Sequence, residues 1–490
     1  MRGERIAALS LGSDPRHVAE AGTRTIDCRG RTIVPGFIDP HVHIMAYAGT
    51  LQAVDCSPSA VRSIADIKEA IRCKAASVPP GRWVRAAGYD EFHLEERRHP
   101  TRWDLDDAAP NHPVRLVHRS HHACVLNSLA MAIAAIGNET EEPPGGTIER
   151  ELTTGEPNGL LLDMNAYLGD RGVPPPLQEE ELIEAMRLAN EYLLSRGVTS
   201  LEDASAGNDV AAWATFSRLK DGRLLEPRLR MMLGIGALAG AQEAGLSFGY
   251  GDERLRVGAV KLTQMESEPK LYPGQAELNE QALKAHVAGF QVAIHATEER
   301  SVAAATDAIA YALQARPRSD HRHRVEHCSV CPPYLQAKLR DLGAVVVTQP
   351  GFLYYSADRY IDRVPAESLP WLYPMRSLLD AGVPLAAGSD CPIIPPDPLL
   401  GIFAALARQG RTGLIVSVEQ KLMPGDALRA HTISAAYASF SEAALGSLSP
   451  GKLADAVILS ADPLAAPPEE IKAITVEATV LGGRVVWRGN

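Results

Sequence analysis

Apolar and polar positions follow two rhythms along this chain. The stretch TIVPGFIDPHVH, Thr32–His43, is apolar as far as Ile38 and then ends in Asp39-Pro40-His41-Val42-His43. It predicts a short buried strand over Ile33–Ile38, broken by Pro35 and Gly36, with two histidines at its exit. Side chains two apart share one face of a strand, so His41 and His43 point the same way. Further apolar runs of strand length lie at Thr199–Asp203, Arg228–Ile235, Val257–Leu262, Gln291–His295, His323–Cys328, Ala344–Thr348 and Pro384–Ser389. Between them, apolar residues recur at helical spacing over Glu179–Arg196, Leu278–Ala288, Ser301–Gln314 and Pro333–Leu342. Eight strand–helix units predict an α/β chain built on a (β/α)8 TIM barrel of about 250 residues, with its chemistry at the C-terminal ends of the strands. A doubly wound open sheet would carry a glycine-rich phosphate loop after an early strand, and the sequence has none.

The two ends of the chain follow a different pattern. Residues 1–31 hold short strand-like pieces, Arg5–Leu11 and Arg24–Cys28, with turn signals at Gly12-Ser13-Asp14-Pro15 and Arg29-Gly30. From Gly446 the chain is again strand-rich, with a hairpin signal at Gly482-Gly483. Neither end can bury a core alone. The expectation is one small β-sandwich domain made of 1–31 plus 446–490, flanking a barrel over 32–445. Residues 50–180 break the barrel rhythm with WVRAAGY, VRLVHRSHHACVLNS, a Gly/Pro/Glu-rich loop at Gly137–Gly146 and a hairpin-like LTTGEPNGLL. They read as an insertion after the first barrel strand, over the barrel mouth where substrate is chosen.

Four later strands end in residues that bind metals. Val257–Leu262 presents Lys261, IHATEE presents His295, RVEHCSV presents His327 and LAAGSDCPI presents Asp390. All would meet His41 and His43 at one mouth. A lone histidine or aspartate at a strand end has ordinary structural explanations, but six such groups on five strands point jointly to a metal site.

Composition narrows the partners. The chain of 490 residues is 46% hydrophobic and 22% charged, ample for a large domain and a smaller one. Its net charge of −11 is spread along the chain without a basic stripe, which argues against nucleic acid. No apolar run reaches about 18 residues, so no membrane span is expected. MRGERIAALSLGSDP has too short an apolar stretch for a signal peptide. Seven scattered cysteines fit a reducing cytoplasm better than a disulfide framework, and Cys328-x-x-Cys331 lacks the second pair a structural zinc would need.

The stretches VPGFIDPHVH, PVRLVHRSHHACVLNS, GVTSLEDAS, VKL, VAIHATEERSV, RHRVEHCSV, AAGSDCPI and GSLSPGKLADAVILSADPL resemble the amidohydrolase superfamily. Within it they are most similar to the amidohydrolase-3 or YtcJ-like branch, which includes N-substituted formamide deformylase. The resemblance covers about residues 27 to 463. It implies a barrel plus a small β-sandwich, with His41, His43, Lys261, His295, His327 and Asp390 as metal-site residues. It further implies that His41, His43 and Asp390 hold the more buried metal, that His295 and His327 hold the outer one, and that Lys261, carboxylated on its amine, bridges the two. An unmodified ammonium has no lone pair to give, whereas a carbamate offers anionic oxygens. Two zinc ions are the default, with manganese, iron or nickel as alternatives. A metal-activated hydroxide would attack the substrate carbonyl, and Asp390 would take the proton and pass it to the departing amine.

One stretch departs from the family. After the strand-four lysine the family often has an Asp-Gly-Ser-Leu-Gly-like loop, but here the chain reads VKLTQMESEPKLYPG, with Glu266, Glu268 and Lys270 in its place. The chain also begins close to the first strand, short of where such sandwiches usually start. Candidate substrate residues are His122, which would hold a carbonyl oxygen or oxyanion, and Tyr89, Tyr354 and Trp371 at the mouth. His323, which alternates with His327, reads as structural, and Arg119 and Lys270 are the cations an anion-selecting pocket would use. The leading reading is a hydrolase of a non-peptide C–N bond in a small amide, formamide or N-acyl compound. Alternatives on the same scaffold are a mononuclear deaminase, a cyclic amide hydrolase and an ester or lactone hydrolase. A non-catalytic binding or assembly relative is the reading from another class. The partner expected is a small-molecule substrate, and a homodimer is the assembly such barrels often form.

Overall fold

The structure is a computed structural model that describes residues 1–10, 25–267 and 270–489. The chain divides into two compact units, one made of Met1–His43, Asn190–Met265 and Pro273–Asn490, the other of Ile44–Ala189 and Glu266–Tyr272.

The first unit is built on eight parallel strands: β1 Phe37–Val42, β2 Val198–Asp203, β3 Arg228–Gly234, β4 Leu255–Thr263, β5 Val292–Ala296, β6 Arg324–His327, β7 Val345–Thr348 and β8 Leu385–Ala387. Each pairs with its sequence neighbour from β1 through to β8. An isolated parallel bridge from Val42 to Cys391 joins the two edges, so the sheet is a nearly closed barrel. The helices Glu179–Ser195, Gln275–Val287, Glu299–Ala315 and Pro333–Leu342 match the helical periodicity to within a turn. Pro333–Leu342 stops where Gly343 takes φ 66°, a left-handed conformation that glycine adopts without penalty.

The first apolar stretch is divided differently from the Ile33–Ile38 expectation. Thr32–Pro35 pairs antiparallel with Ala456–Leu459, while Phe37–Val42 enters the barrel as β1. Gly36 is the hinge between the two sheets, and it lies so close to β2 that a Cβ there would sit 2.1 Å from Thr199 Oγ1. His41 therefore lies within β1, not beyond its end.

Thr32–Pro35, Ala456–Leu459, Val476–Leu481 and Arg484–Arg488 form one four-stranded sheet. Its last hairpin turns through Gly482 and Gly483 at φ 54° and 73°, as two-residue turns that match strand twist require. The strands expected before residue 32 do not form among the described residues. Arg5 makes only isolated bridges, to Arg2 and Leu453, and residues 25–28 are irregular. Leu11, the Gly12–Pro15 turn and Arg24 lie outside the described residues.

The second unit is more regular than the loop-rich insertion expected at 50–180. A six-stranded mixed sheet runs in the order Val54–Asp55, Val84–Tyr89, Val114–His118, Ala123–Leu126, Pro157–Leu162, Thr147–Arg150. It has its own core, in which Ile67, Ile71, Tyr89, Leu105 and Leu116 are fully buried. The hairpin-like LTTGEPNGLL is the connection between the last two of these strands plus most of Pro157–Leu162. Met265–Ser267 pairs with Lys270–Tyr272, so the atypical segment after β4 is itself a hairpin.

Candidate active site

Six side chains gather at the C-terminal ends of the barrel strands. His41 Nε2 lies 3.5 Å and His43 Nε2 3.1 Å from the same oxygen of Asp390, Oδ1. Asp390 stands three residues past β8 in the left-handed region at φ 57°, and its amide donates to the His41 carbonyl at 2.8 Å. His43 in turn donates its amide to the Cys391 carbonyl at 2.7 Å, so β1 and the segment after β8 are stitched on both sides of the site. His327 Nδ1 is 3.8 Å from Asp390 Oδ2, and its ring centroid is 4.9 Å from that of His41. The His295 ring packs edge-on to His327 at 4.4 Å. Lys261 Nζ reaches to 3.3 Å from His41 Nε2. Ligand atoms of His41, His327 and Asp390 lie within 4.8 Å of one another, a grouping that a single cation can span.

His327 reaches this site only by leaving strand alternation. Arg324 and Glu326 of β6 face the barrel interior, which would turn Val325 and His327 outward. His327 instead takes φ 71°, and Cys328 follows at φ 49°. His323, two residues before Val325, stays on the outer face, where Nδ1 accepts the Val292 amide at 3.0 Å and Nε2 meets His286 Nδ1 at 2.9 Å. It is structural, as expected.

A buried polar network, which the sequence pattern does not reveal, orients the imidazoles. His41 Nδ1 donates to Glu326 Oε2, and Arg324 donates to both Glu326 oxygens at 2.6 and 2.9 Å. Arg324 also pairs with Glu202 and donates to the Pro40 carbonyl at 2.8 Å. His327 Nδ1 donates to Gln349 Oε1 at 2.8 Å, and His43 Nδ1 bonds Ser205 Oγ at 3.0 Å. A carboxylate and an amide oxygen only accept, so His41 and His327 carry their protons on Nδ1 and leave Nε2 with a free lone pair, which on His41 faces Asp390. His327 Nε2 is buried with no hydrogen-bond partner among the described residues. Asp39 Oδ1 accepts the amides of Ser389 at 3.0 Å and His41 at 3.3 Å, fixing β1 against the chain beyond β8.

The electrostatics agree with this arrangement. Burial holds His41 well below the ordinary imidazole range, helped by Lys261, and burial lowers His327 as well, so both are neutral donors. Burial also lowers Lys261. Asp390 moves the other way: burial would raise it, but His41, His43 and His327 overcome that and keep the carboxylate ionised. Neutral imidazoles with free lone pairs, an ionised carboxylate and an orphaned buried nitrogen are the donor set a divalent cation requires, so the residues present fit a metal.

The other candidates engage partners of their own. Tyr89 is fully buried in the core of the second unit, with its hydroxyl on His99 Nδ1 at 2.9 Å, which removes it from any substrate-facing surface. Tyr354 packs its ring against Tyr355 and Phe403 and lies under Lys472. Trp371 accepts the Cys331 amide at 3.0 Å, which ties its short helix to the segment after β6. In the second unit, His122 is half-exposed with Nδ1 on Asp163 Oδ1 at 2.6 Å, and Arg119 lies 3.5 Å from Asp90 Oδ2. Glu268 and the Lys270 side chain lie outside the described residues. Cys328 and Cys331 are buried free thiols. Asp90, Glu91 and His118 also group within 4.8 Å, but Ser120 donates its amide to His118 Nδ1 at 3.1 Å. That leaves the proton on Nε2, the atom facing Glu91.

No helix among the described residues is long and apolar enough to cross a membrane. The sequence profile described as the amidohydrolase family matches residues 24–487. An N-substituted formamide deformylase of Arthrobacter pascens is 30% identical, over 98% of this chain and 93% of that protein. The putative amidohydrolase YtcJ of Bacillus subtilis (strain 168) is 27% identical, over 95% and 90%. An uncharacterized metal-dependent hydrolase of Pyrococcus furiosus, known from its crystal structure, superposes with a TM-score of 0.73 at 25% identity, over 95% of each chain.

Proposed function

The chain belongs to the amidohydrolase family, and from that premise we propose that this hydrolase of carbon–nitrogen bonds acts on a small formamide or N-acyl compound through a two-cation centre, with Asp390 as the proton carrier. The formamide class is favoured by the deformylase relative, which aligns along nearly its whole length. His41, His43, His327 and Asp390 would hold the metal, with His295 beside them and Lys261 joining in carboxylated form. A bound divalent cation, zinc by default for imidazole and carboxylate donors, supplies Lewis acidity that acidifies water and polarises the scissile carbonyl.

The chain's own residues do the rest. Glu326 and Gln349 hold the His41 and His327 rings in the tautomer that keeps Nε2 deprotonated. Asp390, ionised and facing three imidazoles, accepts the proton of the attacking water and returns it to the amine nitrogen as the C–N bond breaks. Lys261 is held toward its neutral form by burial, and a neutral amine adds to carbon dioxide: an N–C bond forms, one proton leaves to solvent, and an anionic oxygen donor results.

The observation that carries this reading is the convergence of His41, His43 and His327 on the ionised Asp390. It is tested by metal analysis of the purified protein alongside a panel of formamides, N-acyl amino acids, cyclic imides and aryl esters. About two metal equivalents and fastest turnover of formamides are expected. Full activity after exhaustive chelation would refute the metal dependence, and one equivalent with turnover confined to ring amidines would favour a mononuclear deaminase.

A further inference from the structure

The barrel has a cavity of about 130 Å³ at the pole opposite the metal-site residues. It is lined by Ser200 and Glu202 of β2, Arg228 and Arg230 at the start of β3, and Arg256 at the start of β4. The site described above stands at the other ends of the strands. Asp252 and Glu253 also line it, Asp252 accepting the Arg254 and Leu255 amides and Glu253 paired with Arg5 at 2.5 Å, and most of the remaining wall is apolar, with Ile38, Leu229 and Phe440 among its residues.

The polar groups in this wall have unused bonding capacity. Arg228 is spent on Asp455, at 2.7 and 3.1 Å. Arg230 is not ion-paired among the described residues: its Nε donates to Ser441 Oγ at 2.9 Å and its second bond is a long one to the Phe440 carbonyl at 3.5 Å. Arg256 likewise has no carboxylate partner among the described residues and donates only to the Asp252 carbonyl at 3.1 Å. Ser200 Oγ and Glu202 Oε1 are buried without a hydrogen bond. Burial lowers Arg230 to about 10, with Glu202 opposing the shift and Arg256 adding to it. Buried polar groups are seldom left unsatisfied unless water, an ion or a ligand completes them.

We propose that this cavity binds a compact organic carboxylate, whose two oxygens pair with Arg230 and Arg256 while its apolar body fills the space beside Phe440 and Leu229. Two guanidiniums without carboxylates call for an anion, and a planar carboxylate suits their fork geometry. The apolar wall excludes a bare inorganic ion as the best occupant. An apolar cavity of about 150 Å³ takes benzene, and this one is smaller and must also seat the carboxylate, so the body is on the order of a short branched aliphatic chain. Ser200 Oγ and Glu202 Oε1 would favour a body that also bears a hydroxyl or amino donor.

The test is a fluorine NMR titration of the metal-loaded, full-length protein with 3,3,3-trifluoropropanoate, repeated on chelator-treated protein, on Arg230→Gln and on Arg256→Gln. Saturable binding is expected, with the same affinity after chelation and at least tenfold weaker in each arginine variant. Arg256 is partly exposed, so Arg256→Gln should melt with the wild type and guards against a folding artefact in Arg230→Gln. Loss of binding on chelation would assign the carboxylate to the metal centre and overturn the proposal. Equal affinity in wild type and Arg256→Gln, or no saturable binding at all, would overturn it too.

Discussion

Replacing Glu326 by Gln tests whether the buried network, and not the ligands alone, makes the metal site. Glu326 is fully buried and accepts three hydrogen bonds, one from His41 Nδ1 and two from Arg324. Arg324 is shared between Glu326 and Glu202, so Glu326 keeps negative charge facing His41. The Glu326→Gln variant would keep the shape but lose that charge, and its new NH2 would confront a donor, either Arg324 or the His41 Nδ1–H. Losing a carboxylate that orients a ligating imidazole costs about 10–100-fold in metal affinity, or about 1.4–2.7 kcal/mol. Breaking the buried pair with Arg324 should cost the apoprotein about 3 kcal/mol. Competition against a chromophoric chelator reads the first quantity, and urea unfolding of metal-free protein reads the second. A metal Kd within twofold of wild type, in a protein that unfolds at the same urea concentration, would refute the reasoning.

Asp390→Asn should lower turnover by about 10²–10⁴-fold while leaving the thermal midpoint near wild type, since asparagine tolerates the left-handed backbone at φ 57°; turnover within tenfold of wild type would take Asp390 out of proton transfer. Gly36→Ala forces a Cβ to 2.1 Å from Thr199 Oγ1 and should cost about 1–3 kcal/mol in urea unfolding, and an unchanged midpoint would mean the two sheets can part at that hinge. His431 is buried with Nε2 unsatisfied among the described residues, and burial lowers it to about 4. The folded state thus keeps it neutral where the unfolded chain protonates it, so its contribution is complete above about pH 6.5 and is lost as pH falls to about 4, by about 3 kcal/mol in all. Unfolding titrations from pH 7.5 to 4 should show His431→Gln losing less stability than wild type by that amount, and parallel pH profiles would exclude His431 as the cause.

The barrel is legible in the sequence because its strands are buried on both faces and read as apolar runs between helices of ordinary period. Pro333–Leu342 can be located to the residue, with proline opening the helix and Gly343 closing it. The first strand cannot be drawn correctly from its pattern, because Ile33 and Ile38 belong to one apolar run in sequence but to two sheets in space. Only the closeness of Gly36 to Thr199, a contact between residues far apart in the chain, separates them. Tyr89 misleads for the same kind of reason: an aromatic at a strand end reads alike whether it faces a pocket or fills the core of a separate unit.

The proposed ligands can be named from sequence and the network cannot, and the difference lies in backbone conformation. Strict alternation along RHRVEH puts His323 and His327 on one face and Arg324 and Glu326 on the other, which sets His327 apart from the interior charges that serve the site. The left-handed turn at His327 and Cys328 reverses this, bringing the histidine inward beside the glutamate that already holds His41. A non-glycine residue pays of order 1–3 kcal/mol for such a conformation, and two in succession persist only where the surroundings demand them. Asp390, at φ 57°, is held in the same way at the end of β8. At His327 the strain thus falls on a residue whose ordinary strand geometry would point it away from His41. Arg324 and Glu326 are fully buried together on β6, and charges are seldom buried unless they are paired and something polar needs them there. In this barrel that something is the Nδ1–H of His41, and through it the direction in which Nε2 offers its lone pair.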